Sequence, residues 1–252
     1  MSHHIVHIEN LSYDYPDGTR ALQGVTFEVV HGEAVAIVGA NGAGKSTLLM
    51  HLNGTLPPGS GRVIIGDLPV TEKTARDVRR TVGMVFSNPD DQLFMPTVGD
   101  DVAFGPLNLG LPPEDVAERV RYALEKVGAS HLAARPPYRL SSGEKRLAAI
   151  ATVLAMAPSI LVMDEPSSHL DPWARRRLIE LLGTFDHSKI IATHDLDLVL
   201  DLCPRTIVMC GGRIVADGKT EEIFGDDALL HKCHLEKPLS WKTAKTGSGT
   251  ET

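Results

Sequence analysis

Apolar residues gather along this chain in short runs of two periods. Val6, Ile8 and Leu11 stand among polar neighbours and residues 25–30 (VTFEVV) are rich in β-branched side chains, which predicts strands within the first thirty residues. Residues 34–38 (AVAIV) are almost wholly apolar, the pattern of a parallel strand buried on both faces. Residues 160–163 (ILVM) and 189–193 (KIIAT) repeat that type of run. Helical spacing follows in Leu48, Leu49 and Leu52, in Val116, Val120, Leu124 and Val127, and in the apolar stretch that reaches Leu154. Toward the carboxyl end, residues 206–210 and 213–216 flank Gly211-Gly212 as a hairpin, and residues 221–235 read as helical. Beyond Pro238 small and polar residues predominate, so residues 238–252 are expected to be a disordered tail. Strands alternating with helices over 252 residues predict one α/β unit.

The first all-apolar run ends directly in Gly39-Ala40-Asn41-Gly42-Ala43-Gly44-Lys45-Ser46-Thr47. Strand, glycine-rich turn and helix in this order give GxxxxGK[ST] the context that makes it a phosphate-binding loop. The glycines let successive amides point at a phosphate chain, at a helix start where the dipole favours anions. Lys45 is expected to reach the β- and γ-phosphates and the Ser46 hydroxyl to ligate Mg²⁺. The second run delivers Asp164 and Glu165 to the strand end where α/β sheets bind ligands. Asp164 is placed there to hold Mg²⁺ through its water shell, and Glu165 to orient or deprotonate the water that attacks the γ-phosphate. The third run brings His194-Asp195 to the same edge, within reach of the γ-phosphate. Ser141 and Glu144 have capping-box spacing, and the helix start they cap is a second candidate anion site.

Charge narrows the partners. Lys plus Arg number 25 against 32 Asp plus Glu, a formal charge of −7, which disfavours nucleic acid as a partner. Three cysteines without CxxC spacing, Cys203, Cys210 and Cys233, argue against a disulfide scaffold or zinc site and for a reducing, cytosolic compartment. The amino end lacks the basic and apolar regions of a secretory signal, and no apolar run approaches the ~20 residues needed to span a bilayer.

Taken together, these motifs resemble the nucleotide-binding subunit of ATP-binding cassette (ABC) transporters, from about residue 5 to 216. Residues 39–47 look like Walker A, so the resemblance gives nucleotide-binding roles to Gly39, Asn41, Gly42, Ala43, Gly44, Lys45, Ser46 and Thr47. Residues 160–165 resemble Walker B with its catalytic glutamate, residues 168–171 the D-loop, His194 the switch histidine and residues 140–144 the signature motif. Glu165, His194 and Lys45 are thereby the catalytic set, and Tyr15 falls where the family stacks an aromatic under adenine. The implied fold is a P-loop NTPase with a RecA-like, mostly parallel sheet over about 32–86 and 159–217. It would carry an antiparallel β subdomain over about 3–31, an inserted α-helical subdomain over about 87–158 and a C-terminal hairpin and helix over about 205–237, all within an ABC ATPase domain spanning 1–237.

A narrower similarity begins at Val85-Phe86-Ser87-Asn88-Pro89-Asp90-Asp91-Gln92 and continues through residues 97–110. It resembles the ATPases of energy-coupling factor (ECF) transporters, most of all the cobalt and nickel uptake type, with vitamin uptake as the nearest alternative. A soluble, non-transport ABC ATPase is disfavoured, since no coiled-coil insertion or second cassette is present. The resemblance implies ATP and Mg²⁺ as cofactors, a second copy of the chain closing over ATP, and a location on the cytoplasmic face of the cell membrane. There an ECF transmembrane coupling subunit and a substrate-binding membrane subunit would be its partners. Each ATP would then lie between Walker A of one copy and Ser141, Ser142, Gly143 and Glu144 of the other.

Two departures from the family pattern stand out. Ser87 occupies the position of a Gln that senses Mg²⁺, and its shorter side chain needs a bridging water or a shifted backbone to do so. Gln92 is expected to face the coupling surface instead of substituting for it. The signature has Ser142 for the usual Gly and Glu144 for the usual Gln. His3, His4 and His7, with His231, Cys233 and His234, are metal ligands by type, yet no metal site is expected among them, because the transported ion would belong to the membrane partner.

Overall fold

The computed structural model describes residues 4–241. Strands β1 (His4–Asp14) and β2 (Arg20–Val30) lead into β3 (Ala34–Val38) and helix α1 (Lys45–Leu52). Strands β4 (Ser60–Ile65) and β5 (Leu68–Pro69), helix α2 (Ala75–Thr81) and strand β6 (Val82–Val85) follow. A helical stretch comprises α3 (Val98–Asn108), α4 (Pro113–Lys126) and α5 (Ser142–Leu154). Then come β7 (Ile160–Asp164), α6 (Pro172–Gly183), β8 (Ser188–Ala192) and α7 (Leu196–Leu202). The carboxyl end holds β9 (Arg205–Cys210), β10 (Arg213–Lys219), α8 (Thr220–Gly225) and α9 (Asp227–Lys232).

Six strands form one sheet in the order β10-β9-β3-β8-β7-β6, parallel from β9 to β6 with β10 antiparallel at the edge. Every residue of β3, β6, β7 and β8 is buried, which is why their sequences read as continuous runs and not as alternation. Register aligns Ile37 and Asp164 with Ala192, and Val85 with Met163, so the carboxyl ends of four strands share one edge. That edge is the crevice where such sheets take ligands. One apolar core lies between this sheet and the helices, including Ile150, Leu178 and Phe224. A second packs α1 and the other sheet face against the antiparallel layer through Leu48, Leu52, Phe27 and Ile65.

That antiparallel layer has the order β2-β1-β4-β5. The expected boundary of the β subdomain at residue 31 is therefore corrected: residues 60–69 join it, pairing Val6 with Ile65 and Ile8 with Val63. Residues 221–235 form two short helices, because Asp226 leaves helical geometry (φ −90°, ψ 93°) and caps the second through Leu229 N–H. The tail expected from 238 is also corrected in its first part. Residues 239–241 are helical, and the backbone N–H groups of Leu239 and Ser240 donate to the Asp197 carboxylate on α7. Residues 242–252 lie outside the described residues. Among the described residues no helix is long and apolar enough to cross a membrane.

Candidate active site

The phosphate loop is shaped by backbone contacts that exclude side chains. A Cβ on Gly39 would stand 2.3 Å from the Met209 carbonyl oxygen, and one on Gly44 would stand 2.6 Å from that of Ala21. Gly44 also has φ +100°, a conformation L side chains rarely adopt, and from it α1 begins with no side-chain cap and no acid in its first turn. The helix start thus keeps its positive end for a ligand. Lys45 is buried, and its Nζ donates to the carbonyls of Gly39 at 2.8 Å and Ala40 at 3.2 Å, folding the side chain over the loop. A cavity of about 370 Å³ opens here, bounded by residues 41–47 and by Tyr15, Ser87, Asp164 and Glu165. Tyr15 lies one residue past β1, with its hydroxyl 3.0 Å from Thr47 Oγ1 and its ring edge-on to Tyr13.

Across the cavity the last residue of β7 supplies Asp164. Burial pushes its carboxyl above the usual range, while hydrogen bonds from the Ser46 and Ser87 hydroxyls and the Lys45 charge oppose that rise. Its Oδ1 is buried with no hydrogen-bond partner. Oxygen donors from Ser46, Ser87 and an unsatisfied carboxylate are the set a hard divalent cation prefers, so these residues fit Mg²⁺.

Glu165 turns the chain at φ +49°, which swings its carboxylate back over the strand ends. There Oε2 lies 2.7 Å from His194 Nδ1 and accepts from Thr193 Oγ1 at 3.1 Å. The His194 turn is held in place by Asp195, which caps α7 at Leu198 and takes two hydrogen bonds from Arg175, at 2.6 and 2.7 Å. Twelve expected residues therefore meet in or beside one crevice: Tyr15, Asn41, Gly42, Ala43, Gly44, Lys45, Ser46, Thr47, Ser87, Asp164, Glu165 and His194.

The signature residues do not line that cavity. Ser141 caps α5 and forms a full capping box with Glu144, whose Oε2 accepts from Ser141 N at 2.8 Å and Ser141 Oγ at 2.9 Å. Ser141 and Ser142 are exposed, and Gly143 approaches the His169–Leu170 backbone and side chain of the same copy.

A family model described as "ABC transporter" matches residues 22–168. A candidate ABC transporter ATP-binding protein of Geobacter sulfurreducens is 65% identical over 95% of this chain and 96% of its own length. The energy-coupling factor transporter ATP-binding protein EcfA of Methanocaldococcus jannaschii is 47% identical over 93% of this chain and 86% of its own.

The chain belongs to the ABC transporter family.

Among solved structures, CbiO1 of Clostridium perfringens, part of the transporter complex CbiONQ, superposes with a TM-score of 0.79 at 38% identity, covering 98% of this chain and all of that one. A dimeric ATP-binding cassette bound to ADP and Pi also scores 0.79, at 26% identity over 85% of this chain and 98% of its own. The fold and the enzyme class are those of an ABC ATPase, the ATP-binding and ATP-hydrolysing subunit of a transporter, and the relatives place it in the group that includes energy-coupling factor ATPases.

Three features of this ABC ATPase escaped the sequence. Gln92 does not face a coupling surface: it turns inward, donating to Ala149 O at 2.9 Å and Thr152 Oγ1 at 2.7 Å on α5 while accepting from Phe86 N. Thr193 braces Glu165, a role signalled only by a hydroxyl directly before His194. Thr19 and Arg20 line the cavity beside Tyr15. Among the described residues no three His, Cys, Asp or Glu side chains cluster to hold a metal ion, and His7 Nδ1 lies 2.7 Å from Glu28.

Proposed function

We propose that this chain is the ATP-driven motor of an ECF-type importer of cobalt or nickel ions, working as a homodimer on the cytoplasmic face of the membrane. The observation that carries the chemistry is the convergence of an uncapped helix start, Lys45, Ser46, Asp164 and Glu165 on one cavity. In this reading the amides of residues 42–47 and Lys45 bind the phosphates, and Tyr15 stacks on the adenine. Ser46, Asp164 and Ser87 would hold Mg²⁺, which when bound supplies charge neutralisation across the phosphates. Glu165 accepts the proton of the attacking water, and His194, oriented by its contact with that carboxylate, donates to the γ-phosphate.

The closing of two copies brings Ser141, Ser142, Gly143 and Glu144 of the partner over the γ-phosphate. Two dimeric cassette structures, one of them bound to ADP and Pi, support this arrangement, as does the separation of the signature from the cavity within one copy. Toward the membrane subunits, Phe94 and Phe104 form an exposed edge-on pair, 5.0 Å between centroids. Buried Asp101 fixes the loop that presents it by accepting from Phe94 N and Met95 N. The cobalt or nickel cargo rests on the resemblance of residues 85–110 to ATPases of that uptake type, and the likeness to CbiO1 of the CbiONQ complex supports the assembly with membrane subunits.

Glu165→Gln tests the chemistry: kcat should fall ~10²–10⁴-fold with ATP binding retained. Uptake of radiolabelled Co²⁺ or Ni²⁺ by cells expressing the chain with its neighbouring membrane genes tests the cargo. Uptake of a vitamin but of neither ion would overturn that part alone.

A further inference from the structure

Arg146 lies one turn into α5, and only 1% of its surface is exposed, an unusual position for a guanidinium. It donates to the carbonyl of Phe86 at 2.6 Å and to that of Ser87, while its Nε is buried without a partner. Burial lowers its affinity for a proton, and the nearby Asp164 and Glu165 charges offset only part of that fall. Two further side chains join the same loop to the same helix. Lys145 Nζ meets Asp90 Oδ1 at 2.5 Å, and Gln92 bonds Ala149 and Thr152. The segment from Phe86 to Gln92 is thus fastened to α5 at three points, although it leaves β6 of the sheet.

We infer that Arg146 is a positioning residue: its planar fork fixes the Phe86 and Ser87 carbonyls, so that the start of α5 and the short Ser87 hydroxyl beside Asp164 move as one body. A serine in place of a longer amide reaches the carboxylate because the loop is pulled to it, and any displacement of α5 is carried to the Asp164 side of the cavity. The inference rests on the proposed roles of Asp164 and Glu165. A lysine at 146 keeps the charge but, as a single point donor, cannot span both carbonyls.

The experiment uses the full chain, with Arg146→Lys, Arg146→Gln, Ser87→Ala and the double variant Arg146→Lys/Ser87→Ala. ATP affinity in EDTA, KM, kcat and the Mg²⁺ concentration for half-maximal rate are measured, with amide hydrogen exchange over residues 86–88. Arg146→Lys should lower kcat and raise the Mg²⁺ requirement several-fold, leave Mg²⁺-free ATP affinity within about two-fold, and speed exchange at 86–88. Its effect should be non-additive with Ser87→Ala, as expected for residues acting through one another. Unchanged Mg²⁺ dependence in a folded Arg146→Lys, or effects that multiply independently in the double variant, overturns the inference. If Arg146→Gln does not fold, the lysine arm alone decides. Full turnover in Glu165→Gln would instead sink the underlying site assignment.

Discussion

Helices α1 and α5 both begin at loops assigned to ATP, yet they begin in opposite ways. At α1 the cap is Gly44 in a left-handed conformation, no side chain caps the helix, and its first turn carries no acidic residue. At α5 the cap is Ser141, and Glu144 returns its carboxylate to the Ser141 amide and hydroxyl. Both helix starts carry the same partial positive charge, but α5 has already met it with a group of its own chain. A helix start is an anion site only where the protein leaves its donors unclaimed. The α1 site is ready in a single copy, whereas α5 offers a phosphate a weaker field until Glu144 is displaced or neutralised.

Substitutions can break or sharpen this contrast. The largest effect is expected at α1: Lys45→Ala removes a buried cation from its first turn and should cost ~10²–10³-fold in kcat, measured by phosphate release. Loss of Ser141 should act on stability. Ser141→Ala removes the cap of α5 at about 1 kcal/mol, a fall of ~2–4 °C in melting temperature by calorimetry, with ATP affinity of the single copy unchanged. An equal loss of monomer affinity would show that α5 contributes to the first site after all. Glu144→Gln is a smaller change still. It keeps the geometry of the box and removes the charge, which is worth ~0.3–1 kcal/mol at a helix start, so ATP-dependent closure should tighten by a few-fold.

The smallest effect is a pH dependence. Hydrogen bonds from Ser141 hold the Glu144 carboxyl below its usual range, with the charges of Arg135 and His131 assisting. A depressed folded value means that its stabilisation is fully present above the unfolded value, near 4.5, and is lost as pH falls through the folded value. Melting temperature should therefore drop further between roughly pH 5 and 3 in the wild type than in Glu144→Gln.

The contrast also separates what was legible in the sequence from what was not. The α1 site could be read because its causes are local: a run buried on both faces, then glycines demanded by backbone approach, then a lysine. The capping box was equally local. The inclusion of β4 in the antiparallel layer was hidden, because the pairing of Val6 with Ile65 joins residues far apart in the chain. Gln92 was misread for the same reason, its partners lying 57 and 60 residues away. Arg146 was invisible because charged residues are exposed by default, and nothing in the sequence near it announces the two carbonyls it meets.

The central claim is that ATP joins the α1 site of one copy to the α5 start of another. Multi-angle light scattering of Glu165→Gln tests it directly, with ATP, with ADP, and with ATP after the further change Ser141→Glu, which places bulk and a negative charge where the γ-phosphate must dock. The account predicts twice the single-chain mass with ATP only, and its loss in the Ser141→Glu background. A single-chain mass with ATP, or a dimer indifferent to both nucleotide and Ser141, would contradict it.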